Sequence, residues 1–348
     1  MTSAPLRMLW IQSGGCGGCT LSLLCAERPD LERALALHGI EVLWHPALSE
    51  ATGSEAAALL DGAARGETVV DILCVEGAVL RGPHGSGLFH RLGGVPARQR
   101  IERIARRARH VVAVGTCAAF GGISAAGANE LEACGLQYER EEPGGLLGAG
   151  FRSRAGLPVI NVAGCPTHPG WVLTTLALIA RGELGAGDLD ELGRPRFYAA
   201  RLAHHGCDRN EFYEFKASAE RPGQGGCLME HLGCKGTQAH ADCNLRLWNG
   251  EGSCTRGGYA CIRCTEPDFA DPGHGFLSTP KIAGIPVGLP LDMPKAWFVA
   301  LASLAKAATP ERIRVNAHAD RVLVAPRTRP RAAPDGSAAK APGGRRRR

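Results

Sequence analysis

Fourteen cysteines are the feature that most constrains what this chain of 348 residues can fold into. In a secreted protein so many would predict disulfides, but Met1–Trp10 contains neither an apolar export segment nor a twin arginine. We therefore expect the mature protein to begin here, in a reducing compartment, where metal binding explains the cysteines better. Glycine, with 47 residues, is typical of irregular backbone that passes close to a bulky inorganic group.

Composition excludes several classes of protein. With 45% apolar residues, the chain can bury a core for one large domain or two ordinary ones. Of the net charge of +6, residues 331–348 contribute +5, since they hold six Lys/Arg and one Asp. No basic groove for nucleic acid is therefore predicted. Runs such as Val69–Val75 fall far short of the roughly 20 apolar residues that cross a bilayer.

Short apolar segments alternate with helical patterns in the first half. The predicted strands are Met8–Gln12, Glu41–Trp44, Val69–Val75, His110–Val114 and Leu157–Val162. The predicted helices are Leu21–Ala26, Asp30–Leu37, Glu55–Arg65, Ala97–Arg109 and Trp171–Ala180. This alternation predicts, for residues 1–185, an α/β fold with a flavodoxin-like, doubly wound parallel sheet and helices on both faces.

The second half, residues 186–330, lacks sustained periodicity. Seven cysteines are concentrated between Arg194 and Thr265, and a segment of this kind needs something other than an apolar core to hold it. Residues 266–330, which include a helical pattern at Lys295–Ala307, are expected to pack back on the first half. Residues 331–348 are rich in Ala, Pro, Gly and Arg, which predicts a disordered basic tail.

Four cysteines of the first half directly follow predicted strands. Cys16 and Cys19 follow the first strand, Cys117 the fourth and Cys165 the fifth. The carboxyl ends of parallel strands meet at one edge, where open α/β sheets bind ligands. We therefore expect these four thiols to converge on one site.

The second half offers two further ligand groups. One comprises His204, Cys207, Cys227 and Cys234, and the other comprises Cys243, Cys254, Cys261 and Cys264. Thiolates with a single imidazole suit zinc or iron–sulfur clusters. Three structural zinc ions are one interpretation. A chain of three clusters is the other, and only clusters can pass electrons, because zinc has no redox chemistry.

Several motifs together resemble the small subunit of NiFe hydrogenases, from about Leu9 to Pro280. They are, in order, Ser-Gly-Gly-Cys-Gly-Gly-Cys-Thr at 13–20, Val-Glu-Gly at 75–77, Gly-Thr-Cys at 115–117, Gly-Cys-Pro at 164–166, His-x-x-Cys at 204–207, Gly-Cys-Lys-Gly at 233–236 and Cys-Ile-Arg-Cys-Thr-Glu-Pro at 261–267. The resemblance implies a flavodoxin-like domain followed by an irregular Fe–S domain. It also implies a separate large subunit that holds the Ni–Fe centre, so this chain should be inactive alone.

The resemblance assigns the three ligand groups to three clusters. Cys16, Cys19, Cys117 and Cys165 would hold the proximal cluster. His204, Cys207, Cys227 and Cys234 would hold the distal cluster. Cys243, Cys261 and Cys264 would hold the medial cluster. Many relatives have proline where Cys254 stands and carry a three-iron medial cluster, so Cys254 could supply a fourth ligand for a four-iron one. The iron count of each cluster stays open.

The form of the first motif resembles the cytoplasmic group 2 branch, which contains high-affinity uptake and hydrogen-sensing enzymes. It implies oxidation of H2, with electrons passed to an acceptor such as quinone or a carrier protein, and a higher oligomer of heterodimers. The alternative is a regulatory subunit that signals hydrogen to a kinase. We expect a cytoplasmic protein. The run Arg345–Arg348 is expected either to be solvated or to contact the inner face of the membrane.

Other residues have simpler interpretations. Cys25, Cys74 and Cys134 lack partner motifs and are predicted to be small buried hydrophobes. Glu76 ends the third strand, where it could cap a helix or serve as a proton relay beside the proximal cluster. His205 could replace His204 as a ligand, but the i, i+3 spacing to Cys207 favours His204.

Overall fold

A five-stranded parallel sheet forms the centre of the first half in the computed structural model, which describes residues 4–287 and 295–326. The strands are β1 (Leu6–Gln12), β2 (Ile40–Trp44), β3 (Ile72–Glu76), β4 (His110–Val114) and β5 (Ile160–Val162). Their order across the sheet is β5-β4-β3-β1-β2, and all neighbours are parallel. This is the flavodoxin-like order, so the predicted fold class is confirmed.

The central strands are buried on both faces, which explains their apolar sequences. Every residue of β3 and β4 is buried, as expected for a parallel sheet covered by helices on each side. The register aligns Gln12 of β1 with Glu76 of β3, and Glu76 with Val114 of β4. The loops that follow these three strands therefore leave the sheet at the same level.

Helices cover the sheet and recur at intervals in the second half. They are α1 (Gly18–Leu24), α2 (Leu31–Leu37), α3 (Gly53–Arg65), α4 (Ala97–Ala105), α5 (Thr116–Phe120), α6 (Pro169–Arg181), α7 (Arg196–Ala199), α8 (Asn210–Glu214), α9 (Lys295–Ala307) and α10 (Glu311–Ala317). α1 begins before the predicted Leu21. α4 ends before the predicted Arg109, because the backbone N–H of Arg109 already donates to Val70 O (3.2 Å) as the chain enters β4.

The second half consists mainly of turns, and its C-terminal helices pack on it. Thr309, after α9, donates from its hydroxyl to Phe215 O (3.2 Å), and the N–H of Gly226 donates to Ala317 O (2.9 Å). Asp271, in contrast, contacts the first half, since its carboxylate accepts from the backbone N–H of Gly127 (3.2 Å) and pairs with Arg140 (3.3 Å). The expectation that residues 266–330 pack back on the first half is therefore confirmed at Asp271 but not by the contacts of Thr309 and Ala317. The predicted tail, residues 331–348, lies outside the described residues. Within the part of the chain that is described, no helix combines the length and apolarity needed to span a membrane.

Candidate functional site

Four cysteines meet at the carboxyl edge of the sheet, where the strand order reverses between β1 and β3. Cys16 and Cys19 lie at the start of α1, Cys117 lies in α5 after β4, and Cys165 follows β5. Burial, together with the nearby thiols of Cys117, Cys264 and Cys16, raises the pKa of Cys165 to about 12. Cys19 also has the thiols of Cys117 and Cys165 as electrostatic neighbours. The structure therefore brings together the four thiols that we call the proximal set.

Two glycines keep space free around the proximal set. A Cβ added at Gly115 would lie 2.5 Å from Cys19 Sγ, and one added at Gly122 would lie 2.7 Å from Cys117 Sγ. Gly115 also has a φ of +88°, a conformation that residues with a side chain rarely adopt. The backbone thus passes close to the sulfur atoms at positions where only glycine fits.

Glu76 fixes the loop that carries Cys16 and Cys19. Its buried carboxylate accepts hydrogen bonds from the backbone N–H groups of Cys19 (3.1 Å) and Thr20 (3.0 Å), at the start of α1. Its other oxygen accepts from Trp10 Nε1 and Gln12 Nε2, both at 3.2 Å, and from the hydroxyl of Thr20. A negative charge at a helix N-terminus is favourable. Glu76 therefore caps α1, the first of the two roles considered for it, and positions Cys19.

A second set lines one pocket in the second half. His204, Cys207, Cys227 and Cys234 all contribute to its wall, and we call them the distal set. Burial lowers the pKa of His204 to about 4, so its imidazole is neutral at pH 7 and has a lone pair for a metal. His205 instead uses Nδ1 to accept the N–H of Leu202 (3.3 Å).

The remaining four predicted ligands lie near one another. They are Cys243, Cys254, Cys261 and Cys264, and we call them the medial set. Burial raises the pKa of Cys243 to about 12, with the thiols of Cys264 and Cys254 as further causes. Cys264 likewise has Cys254 as an electrostatic neighbour, and Cys261 has both Cys264 and Cys243. Cys254 therefore lies with the three cysteines to which the resemblance assigns the medial cluster.

Direct contacts join the medial set to both of its neighbours. The hydroxyl of Thr116, next to Cys117, donates to Cys264 O, and Cys264 is an electrostatic neighbour of Cys165, which connects the proximal and medial sets. The backbone N–H of Cys261 donates to Cys234 Sγ at 3.3 Å, which connects the medial and distal sets. The three sets thus form a row in the order proximal, medial, distal.

The chemistry of these donor sets fits iron–sulfur clusters. Burial raises the pKa of most of the thiols, including that of Cys227 to about 12 and that of Cys264 to about 11, so bound cations are needed to hold them as thiolates. In residues 4–287 and 295–326, no three His, Cys, Asp or Glu side chains converge closely enough for one metal ion. The distal set instead lines a pocket, and the backbone approaches the sulfur atoms of the proximal set closely at Gly115 and Gly122.

Sequence reasoning missed residues that hold the segment from Cys264 to Glu266 in place. Arg194, which is 3% exposed, donates from Nη1 to Thr265 O (3.2 Å) and to a carboxylate oxygen of Glu266 (3.0 Å). Thr116, next to Cys117, donates from its hydroxyl to Cys264 O. Arg194 lies in a segment without periodicity, so no local signal could have identified it. Of the cysteines outside the three sets, Cys74 and Cys134 are buried and Cys25 is exposed.

Comparison with known proteins identifies the family. Residues 16–179 match the family model described as NADH ubiquinone oxidoreductase, 20 Kd subunit. Residues 199–277 match the model for the C-terminal part of the NiFe/NiFeSe hydrogenase small subunit. The chain is 32% identical over 325 residues to the F420 non-reducing hydrogenase II small subunit of Methanosarcina mazei, covering 87% of this chain and 83% of that relative. The chain belongs to the family of NiFe hydrogenase small subunits.

Other relatives agree with this family assignment. This chain is 32% identical over 288 residues to the periplasmic NiFeSe hydrogenase small subunit of Desulfomicrobium baculatum, covering 77% of this chain and 86% of that one. A solved actinobacterial-type NiFe hydrogenase from Ralstonia eutropha H16 superposes with a TM-score of 0.70 at 29% identity, covering 88% of this chain and 92% of that one. Small subunits of this family carry Fe–S clusters and transfer electrons as partners of a Ni–Fe large subunit.

Proposed function

We propose that this chain carries electrons away from H2 that is oxidised in its large subunit, through three clusters in the order proximal, medial, distal. The observation that carries the proposal is the pair of contacts between sets, from Thr116 beside Cys117 to Cys264 and from Cys261 to Cys234. Neighbouring ligand loops that touch leave little protein between successive carriers. The acceptor that follows the distal cluster would be a quinone or a carrier protein.

The bound clusters would supply reversible one-electron chemistry, and the chain would hold them and set their potentials. Ligand charge differs among the sets, since the proximal set offers four thiolates whereas the distal set offers three thiolates and the neutral imidazole of His204. A less negative ligand set favours the reduced cluster and raises its potential. This difference favours electron flow toward the distal end, which supports H2 oxidation as the working direction.

We propose that the medial cluster contains four irons. The electrostatic neighbours of Cys243 include both Cys254 and Cys264, so a fourth thiol is present where many relatives have proline. The proximal and distal sets also have four ligands each. EPR spectroscopy of the oxidised complex, with iron and sulfide quantitation, tests the assignment, because a three-iron cluster is paramagnetic when oxidised whereas an ordinary four-iron cluster is not.

We further propose membership of the cytoplasmic group 2 branch and assembly as a higher oligomer of heterodimers. The form of the Gly-Gly-Cys-Gly-Gly-Cys motif supports the branch, and the exposed thiol of Cys25 is typical of a reducing compartment. Cell fractionation would distinguish a protein free in the cytoplasm from one bound at the inner face of the membrane. Mass measurement of the purified complex would give the oligomer.

The central experiment uses the heterodimer purified without oxygen. We expect rapid H2-dependent reduction of benzyl viologen by the wild-type complex, and its loss in Cys117→Ala together with iron from the proximal cluster. About three zinc ions in place of iron would refute the electron-transfer function. Very slow turnover with a kinase bound would favour the hydrogen-sensing alternative.

A further inference from the structure

A second pocket shares a wall with the distal set. It is open to the surface and has a volume of about 200 Å³. Cys234 and Met229 line both this pocket and the one formed by the distal set. A molecule bound here would therefore be separated from the distal cluster by little more than a cluster ligand.

The side chain of Lys235 is a polar group of this pocket that has no hydrogen-bond partner. It lines the pocket, is only 9% exposed, and has an Nζ without a hydrogen-bond partner. Its Nζ faces the ring of Phe276, with the ring centroid 5.9 Å away. A buried ammonium without an oxygen partner is costly. The position of Lys235 is nevertheless fixed, because its backbone N–H donates to Cys261 O at 2.7 Å.

The other polar side chains of the pocket that the structure describes are largely engaged. The hydroxyl of Thr279 donates to Met229 O (2.6 Å), and Gln238 Oε1 accepts from Arg263 Nη1 (3.1 Å). The hydroxyl of Ser278 donates to Gly275 O (2.7 Å). His274 also lines the pocket, and its Nδ1 lies 2.9 Å from Gly275 O. An incoming ligand is therefore met mainly by the Lys235 ammonium, the His274 ring and apolar walls. The apolar lining consists of Met229, Pro272, Pro280, Pro286 and Val287.

We propose that this pocket binds the electron acceptor, and that the acceptor is a quinone whose carbonyl oxygen is held by the Lys235 ammonium. A quinone combines a flat apolar ring, which fits the proline and valine walls, with an oxygen that becomes negative as electrons arrive. The Lys235 ammonium would stabilise the negative charge on that oxygen, because water would not lie between the two groups to screen their attraction. This inference rests on the proposed electron-transfer function and specifies where its last step occurs.

The overall reaction balances without a further reactant. Each H2 oxidised in the large subunit yields two electrons and two protons. The electrons pass singly along the three clusters and reduce the bound quinone, which takes two protons from solvent and leaves as hydroquinone. The role of Lys235 is to hold the oxygen atom, and it is not a net proton donor, because the same ammonium must serve the next quinone.

The test compares variants of the complete heterodimer. Lys235→Met keeps the apolar stem and removes the charge, and Val287→Trp fills the pocket mouth without altering Lys235. Loss of one charge-assisted hydrogen bond is expected to raise the KM for menadione about tenfold. Equilibrium dialysis without H2 should show a similar rise in Kd for oxidised menadione. Lys281→Met, at an exposed lysine outside the lining, should leave KM and Kd unchanged.

Iron content and the rate with benzyl viologen separate this inference from the proposed function. A wild-type complex that reduces neither viologen nor menadione with H2 would refute the proposed function itself. Normal iron content, with KM and Kd for menadione unchanged in both Lys235→Met and Val287→Trp, would overturn the pocket assignment alone. Tighter binding of a quinone with an isoprenoid tail than of menadione would identify a membrane quinone as the acceptor. Equal binding would identify a soluble one.

Discussion

Replacing Glu76 by glutamine should loosen the proximal set without changing the shape of its surroundings. The amide oxygen can still accept the N–H groups of Cys19 and Thr20, but the amide NH2 then faces three donors. The Gln12 amide can turn to present its oxygen, and the Thr20 hydroxyl can rotate to accept. The indole N–H of Trp10, whose side chain is fully buried, cannot adapt and loses its partner.

The cost follows from these contacts. An orphaned buried donor costs about 1–3 kcal/mol, and two backbone bonds to a neutral oxygen are weaker than those to a carboxylate by up to about 1 kcal/mol in total. The sum is roughly 1–4 kcal/mol. If these contacts break before the unfolding transition state, 2 kcal/mol shortens the half-life of the loaded complex about 30-fold. The assay follows iron release and residual viologen reduction during anaerobic incubation at elevated temperature.

Two variants make the test specific. Glu102→Gln removes an exposed carboxylate that pairs with Arg106 and should change the half-life little, since exposed ion pairs contribute at most about 1 kcal/mol. Trp10→Phe removes the donor that Glu76→Gln orphans, so the second substitution should cost less in that background. A half-life equal to that of the wild type, or strictly additive costs in the double variant, would refute the assignment of Glu76 as the carboxylate that holds this loop.

Three further predictions concern space, ligand number and pH. Gly115→Ala places a Cβ 2.5 Å from Cys19 Sγ, so purified complexes should lack the proximal cluster and its iron; a full iron complement would contradict the close approach. Cys254→Pro should turn the medial site into a three-iron site, seen as a new EPR signal in the oxidised complex, and an unchanged spectrum would show that Cys254 is not a ligand. Burial lowers the pKa of His110 to about 4, below its usual value of about 6.5. The unfolded chain therefore binds this proton first, and stability falls as the pH drops from about 6.5 to 4, by about 2–3 kcal/mol from this group. Thermal denaturation of His110→Phe should show a smaller loss over that interval, and an equal loss would exclude His110 as its source.

Much of the first half could be predicted because its strands are determined by residues that are close in sequence. Buried parallel strands require continuous apolar runs, and His110–Val114 has the same bounds in the sequence pattern and in the structure. The convergence of Cys16, Cys19, Cys117 and Cys165 follows from the sheet topology, since each follows a strand that ends at the same edge.

Other features depend on partners that are distant in sequence. The carboxylate of Glu76 meets Trp10 and Gln12 only because β1 and β3 are neighbours in register, and the sequence alone could not distinguish a helix cap from a proton relay. Arg194 and the pocket at Lys235 lie in turns without a period. Their contacts depend on the path of the irregular backbone, for which neither a helical nor a strand pattern exists.

Clusters bound in the irregular second half would stabilise its fold as well as transfer electrons. Apart from the part that joins the core of the first half, its separate apolar cluster has, among the residues that the structure describes, three buried members, Tyr213, Cys227 and Met229, and Cys227 belongs to the distal set. So small a core cannot offset the conformational entropy of ordering a segment of this length. Metal–thiolate bonds can, because binding to a site that exists only in the folded state adds to folding stability. Under the proposed function, the cysteines that bind the clusters would therefore also hold the second half together, which accounts for their number in a segment with so few buried apolar residues.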